Sequence, residues 1–190
     1  MNMLALIGRE HMTCIVGLVD GIDVWMGGDS AESDDKWNLN LCYDKVFIKD
    51  GFIYGYSGYS RFCQLVEFAF QRPSLTDPLD AYMCTTWINE LRNCLREGGS
   101  LKIENNVEVM GGTLLVGVRG RLFYIDNDLS CVEYREDFMA TGCGGRVALG
   151  AMFATKDLCP PNERILIALE AAQQFNIGVR SPFVVKVLKG

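Results

Sequence analysis

Thr13 heads an apolar stretch, Asp29 stands 16 residues further on and Lys45 stands 32 residues further on. A hydroxyl, a carboxylate and an amine, each at the end of a predicted strand, are what an enzyme needs when its nucleophile is a threonine activated by its own freed α-amino group. Each residue alone has an ordinary reading. A lysine beside Asp44 is commonly a surface lysine, and an aspartate after a strand commonly bonds nearby turn amides. The joint spacing makes them candidates.

The elements that must position these groups are legible as hairpins. Thr13 to Val19 and Ile22 to Met26 are rich in β-formers, and Asp20-Gly21 between them signals a tight turn. The pattern recurs in Lys45 to Ile48, Asp50-Gly51 and Phe52 to Ser57, and again in Thr113 to Val118, Arg119-Gly120 and Arg121 to Ile125. Three hairpins predict antiparallel sheets. Between the second and third, apolar residues at spacings of three and four predict helices over Arg61 to Phe70 and Leu79 to Glu97, closed by Pro73 and by Gly98-Gly99. Two more helices follow, Arg146 to Ala154 and Asn162 to Phe175, the second entered through Pro160-Pro161. Phe183 to Leu188 predicts a last strand, and the polar stretch Ser30 to Asn40 predicts a surface loop. Strands apolar at nearly every position, such as Cys14-Ile15-Val16 and Leu114-Leu115-Val116, predict sheets covered on both faces. The expected architecture is α+β: two stacked antiparallel sheets between two helical layers.

Composition bounds the function. The 190 residues, 49% hydrophobic, suffice for one domain with a sizeable core. A net charge of −6 with scattered Lys and Arg argues against a nucleic-acid partner. No run of about 18 apolar residues is present to span a bilayer, and the short apolar stretch Met3 to Ile7, followed by Arg9-Glu10-His11, does not fit a secretory signal. The eight cysteines, from Cys14 and Cys42 to Cys159, include no C-x-x-C pair, and His11 is the single histidine, so no zinc site is expected. They read as reduced thiols in the core of a cytoplasmic protein. Trp25, Trp37 and Trp87 read as core or subunit-interface aromatics.

The stretches Thr13-Cys14-Ile15-Val16-Gly17, Gly27-Gly28-Asp29, Asp44-Lys45-Val46, Tyr56-Ser57-Gly58 and Thr141-Gly142-Cys143-Gly144-Gly145 resemble the proteasome β-subunit and HslV-like family of N-terminal nucleophile (Ntn) hydrolases. The likeness runs from Thr13 to about Leu188. It implies a four-layer αββα sandwich over residues 13–190, preceded by a leader or propeptide-like extension over 1–12. Thr13 is then the nucleophile and, once freed, its amine the general base; Lys45 favours the deprotonated forms of both, and Asp29 orients and neutralises Lys45. Gly58 falls where the family offers an oxyanion N–H. The resemblance further implies a homo-oligomeric ring, hexameric or heptameric with stacking of rings, an ATP-dependent unfoldase as partner, unfolded polypeptide as substrate, and no cofactor.

Three departures bear on activity. Cys143 stands at the position of the family's serine, and a thiol is the weaker hydrogen-bonding group. Where the family carries an aspartate followed by Ser or Thr, this chain offers Asn176 and Ser181. Thr13 follows His11-Met12 rather than glycine, so the expected route to a free threonine is translation from Met12 and removal of that methionine. Two other functions share the fold: an inactive scaffold subunit that keeps its leader, and a small-molecule amide hydrolase. The Gly142 to Gly145 turn can also be read as a phosphate cradle, but no Gly-x-x-x-x-Gly-Lys follows and the sheets are antiparallel. Cys14 as rival nucleophile is expected to point to the opposite strand face, into the core, and His11 lies on the extended leader.

Overall fold

In the computed structural model the described residues are 12–33, 38–40 and 43–190. The first hairpin pairs β1 (Ile15–Asp20) with β2 (Asp23–Gly28). Its loop is Gly21-Ile22, one residue later than Asp20-Gly21, because Asp20 pairs with Asp23 and Gly21 takes the left-handed conformation at the first loop position (φ 61°). Two short strands follow, β3 (Ala31–Ser33) and β4 (Asn38–Asn40), which pair with each other inside the stretch expected to be loop. Strands β5 (Val46–Lys49) and β6 (Phe52–Gly58) form the second expected hairpin, with both Asp50 and Gly51 at positive φ.

The helical insert begins with α1 (Ser60–Gln64), which widens into a π-helical stretch over Leu65–Ala69. After Pro78, α2 (Leu79–Ala81) widens over Tyr82–Trp87 and continues as α3 (Ile88–Glu97). An exposed hairpin of β7 (Lys102–Glu104) and β8 (Val107–Val109) comes next, turned by Asn105 and Asn106 at positive φ. The third expected hairpin is β9 (Gly112–Val118) and β10 (Arg121–Ile125). It is followed by β11 (Cys131–Glu133) and β12 (Phe138–Thr141), both too short to stand out in the sequence. Helices α4 (Gly145–Ala154) and α5 (Pro161–Phe175) precede the last strand, β13 (Val184–Leu188).

The main strands form two antiparallel sheets, one in the order β12-β1-β2-β13 and the other β11-β10-β9-β6-β5. Ile15, Val24 and Met26 of the first sheet meet Val46, Ile53, Leu115 and Leu122 of the second in a buried layer. On its far side the first sheet packs Cys14, Val16 and Leu18 against Ala148 and Met152 of α4 and Ile165, Ala168 and Leu169 of α5. The second sheet packs Tyr54, Val116 and Phe123 against Phe62, Met83, Trp87 and Leu91 of the insert. These three apolar layers make the αββα sandwich.

Period-2 alternation along β1 then fixes the orientation of the candidate nucleophile. Cys14, Val16 and Leu18 face the α4–α5 layer, so Thr13 and Ile15 face the second sheet. Trp87 is a core aromatic, stacked near Tyr54 and edge-on to Phe70, and Trp25 is half-buried; Trp37 lies outside the described residues. The cysteines are not uniformly core residues. Cys14 and Cys63 are buried, but Cys84 is exposed, with its Sγ 3.7 Å from the Cys131 carbonyl at the edge of the second sheet; Cys42 lies outside the described residues.

Candidate active site

Three strand ends converge at the mouth of the sheet sandwich. Thr13 precedes β1, Asp29 follows β2 and Lys45 precedes β5; all three side chains are buried, at 5%, 3% and 4% exposure. The β1–β2 register sets Ile15 opposite Gly28, and the Asp29 N–H continues the ladder by donating to the Cys14 carbonyl at 3.2 Å. The Asp29 carboxylate is therefore fixed beside the start of β1. Its Oδ1 accepts from the Cys14 N–H at 2.9 Å and from Lys45 Nζ at 3.1 Å, and its Oδ2 from the N–H groups of Ala31 at 2.9 Å and Arg180 at 3.4 Å.

Lys45 Nζ donates to Thr13 Oγ1 at 2.9 Å, to Asp29 Oδ1 at 3.1 Å and to the Met12 carbonyl at 3.2 Å. An ammonium has three donors, and all three are engaged. Burial pushes the Asp29 carboxyl upward, while the Lys45 ammonium and the backbone donors pull it down. An ammonium held against a hydroxyl in a site shielded from water stabilises the alkoxide that forms on proton loss.

The other face of Thr13 meets the turn after β12. Its carbonyl accepts from the Gly144 N–H at 3.2 Å, and its own N–H donates to Cys143 Sγ at 3.4 Å. Gly142 makes this approach possible. Its φ is 87°, and a Cβ there would stand 2.2 Å from the Thr13 carbonyl oxygen, closer than any side-chain carbon can come. Asn176 buttresses the turn: its Oδ1 accepts from Cys143 Sγ at 3.2 Å and from the Gly178 N–H at 2.8 Å, and its Nδ2 donates to the Cys143 carbonyl at 3.0 Å. Thr13 is in peptide linkage to Met12, and its hydroxyl donates to the Met12 carbonyl at 2.6 Å.

Gly58 ends β6 opposite Gly112. The bond from the Tyr59 N–H to the Gly111 carbonyl, at 3.0 Å, marks Gly58–Gly112 as a non-hydrogen-bonded pair. The Gly58 N–H is thus directed away from β9, toward the recess that Gly58 lines with Thr13, Lys45 and Tyr56. Ser181 is exposed, and its N–H donates to Gln173 Oε1 at 2.6 Å. The residue beside it, Arg180, supplies the backbone bond to Asp29. Cys14 faces the helical layer with its thiol pushed well up by burial, as strand alternation predicts. His11 lies outside the described residues.

Sequence reasoning missed the backbone donors of Ala31 and Arg180 and the buttress formed by Asn176. Amide donors carry no residue-type signal. Asn176 was visible only as an uncharged replacement for an aspartate.

No protein-family model and no curated protein matches the sequence. Among solved structures, BPH from Thiobacillus denitrificans, in complex with epoxomicin, is similar at 17% identity with a TM-score of 0.79, over 93% of this chain and 98% of that one. Eukaryotic HslV from Trypanosoma brucei is similar at 18% identity with a TM-score of 0.66, over 93% and 99%. Anbu (ancestral beta-subunit) from Yersinia bercovieri is similar at 15% identity with a TM-score of 0.66, over 93% and 81%. At these identities the likeness is one of fold, and it spans nearly the whole chain. The chain has the proteasome-like Ntn-hydrolase fold shared by HslV and Anbu.

Proposed function

We propose that the chain is a threonine-type peptidase subunit that hydrolyses peptide bonds of unfolded polypeptide inside a cytoplasmic, ring-shaped assembly of identical subunits. The observation that carries this reading is the buried Lys45 ammonium, 2.9 Å from Thr13 Oγ1 and 3.1 Å from Asp29 Oδ1. Removal of residues 1–12 converts the Thr13 nitrogen from an amide, which has no free lone pair, into an amine that accepts the hydroxyl proton. The alkoxide attacks the scissile carbonyl, and the oxyanion takes the Gly58 N–H. The tetrahedral intermediate collapses as the Thr13 ammonium returns its proton to the leaving amine, and water then hydrolyses the ester on Thr13. Cys143 positions the amine through Sγ, and Ser181 is placed one residue from the Arg180–Asp29 contact. An unselective peptidase is safe only inside a closed chamber, which argues for a ring and for a separate ATP-dependent unfoldase to feed it. The complex of the similar Thiobacillus BPH with epoxomicin supports the choice of probe.

A second reading has an observation of its own. With Met12 attached, its carbonyl occupies the third donor of Lys45 and accepts the Thr13 hydroxyl, which suits a subunit that keeps its leader and serves assembly alone. The intact mass of the purified protein before and after epoxomicin separates the two. A chain that begins at Thr13 and gains the mass of one epoxomicin supports the peptidase, whereas a full-length, unmodified chain supports the scaffold.

A further inference from the structure

Beside Thr13 the structure holds a second, larger space. A cleft of about 510 Å³ runs between the β7–β8 hairpin and the start of α4, within the range of about 300–1,000 Å³ usual for ligand sites. The end of β6 divides it from the recess at the Thr13 hydroxyl. Tyr56 and Gly58 line the recess, whereas Ser57 and Tyr59 line the cleft, as alternation along a strand requires. Cys143 also lines the cleft, and its Sγ is the group that touches the Thr13 nitrogen.

That arrangement gives the cleft a direction. In the peptidase reading, on which this assignment rests, the Thr13 amine hands its proton to the leaving amine. The part of the substrate C-terminal to the scissile bond therefore departs on the side where the Thr13 nitrogen lies, the side of Cys143 and the cleft.

The walls are rich in donors. Asn127 turns its Oδ1 to the N–H groups of Gly111 at 2.8 Å and Gly112 at 3.3 Å, which leaves its Nδ2 hydrogens directed away from them. Thr113 and Thr141 share a hydroxyl bond of 2.6 Å. Lys102 lies with Nζ 5.0 Å over the Tyr59 ring, and Arg146 stands in the first turn of α4, at the positive end of the helix dipole. Both are exposed, and among the described residues neither joins an ion pair. Glu104 is the one carboxylate in the lining. In a chain of net charge −6, this is a locally cationic, donor-lined surface.

We propose that this cleft binds the leaving-group side of the polypeptide substrate and selects for acidic side chains there, with Lys102 and Arg146 as the recognising charges. The test needs no catalysis. A fluorescein-labelled Glu/Asp-rich decapeptide and its Lys-rich counterpart are titrated by fluorescence polarisation into full-length Thr13→Ala protein at low salt. The acidic peptide is expected to bind about ten-fold tighter, since charges within a Debye length of about 10 Å act on it at 0.1 M salt or below. A Lys102→Glu, Arg146→Glu double substitution removes or inverts the preference, and Glu104→Lys strengthens it. Equal binding of the two peptides, or a preference that neither variant moves, overturns the assignment. An acidic preference together with no cleavage of any peptide by the unmasked wild type ends the peptidase reading and upholds the acidic-ligand cleft.

Discussion

The Lys45–Asp29 pair is the costly part of the site, because both charges are buried at 4% and 3% exposure. Removing one partner leaves the other uncompensated, so Asp29→Asn or Lys45→Met is expected to lower unfolding stability by about 3–5 kcal/mol in urea titrations. The double variant is expected to recover most of that loss while staying inactive, which separates the structural role of the pair from its proposed role in activating Thr13. Cys143 presents the opposite case. Its Sγ is 3.4 Å from the Thr13 nitrogen, and a hydroxyl is the stronger partner. Cys143→Ser is expected to raise kcat/KM of the unmasked enzyme about 2–10-fold, the worth of a neutral hydrogen bond of about 0.5–1.5 kcal/mol, and Cys143→Ala to lower it. Cys14 is one residue from the proposed nucleophile and chemically silent. Its thiol is pushed well above the ordinary value of 9.0, chiefly by burial. A thiol held protonated in the fold contributes stability that is present below pH 9 and is lost as the unfolded thiol ionises above it. Melting temperatures from pH 7 to 10 should therefore fall further for the wild type than for Cys14→Ala, and iodoacetamide at pH 9 should label exposed Cys84 and leave Cys14 untouched.

At the scale of elements, the turn after β12 decides whether the site assembles. Gly142→Ala meets both a left-handed conformation, costing about 1–2 kcal/mol, and the Thr13 carbonyl oxygen at 2.2 Å. The variant is expected to lose activity entirely while the rest of the fold remains, as far-UV circular dichroism would report. The hairpin that carries Thr13 and Asp29 was legible through Gly21, and the one that Lys45 precedes through Asp50-Gly51, because these turns need positive φ, which glycine and aspartate tolerate. The convergence of the three residues was legible through their spacing. The short strands were not: β3, β4, β11 and β12 are three or four residues long, too short for alternation to show, and β12 pairs with β1, far away in sequence. The widened turns at Leu65–Ala69 and Tyr82–Trp87 were hidden for another reason: the apolar spacing of a helix survives a local change in hydrogen-bond ladder. The N–H donors to Asp29 were invisible because any residue provides one.

For the whole molecule, the sandwich brings the ends of β1, β2 and β5 to one mouth and leaves Thr13 tied to Met12. Under the proposed peptidase function, chemistry waits on a covalent event at the N-terminus rather than on a change of fold. No helix among the described residues is long and apolar enough to cross a membrane. The most direct test is mass spectrometry of epoxomicin-treated protein with the adduct mapped by peptide sequencing, on wild type and on Lys45→Met. The expected result is a wild-type chain that begins at Thr13 and carries one adduct on that residue, with little or none in the variant. A chain that begins at Thr13, is folded and is unmodified, or an adduct that persists at full level without Lys45, would contradict it.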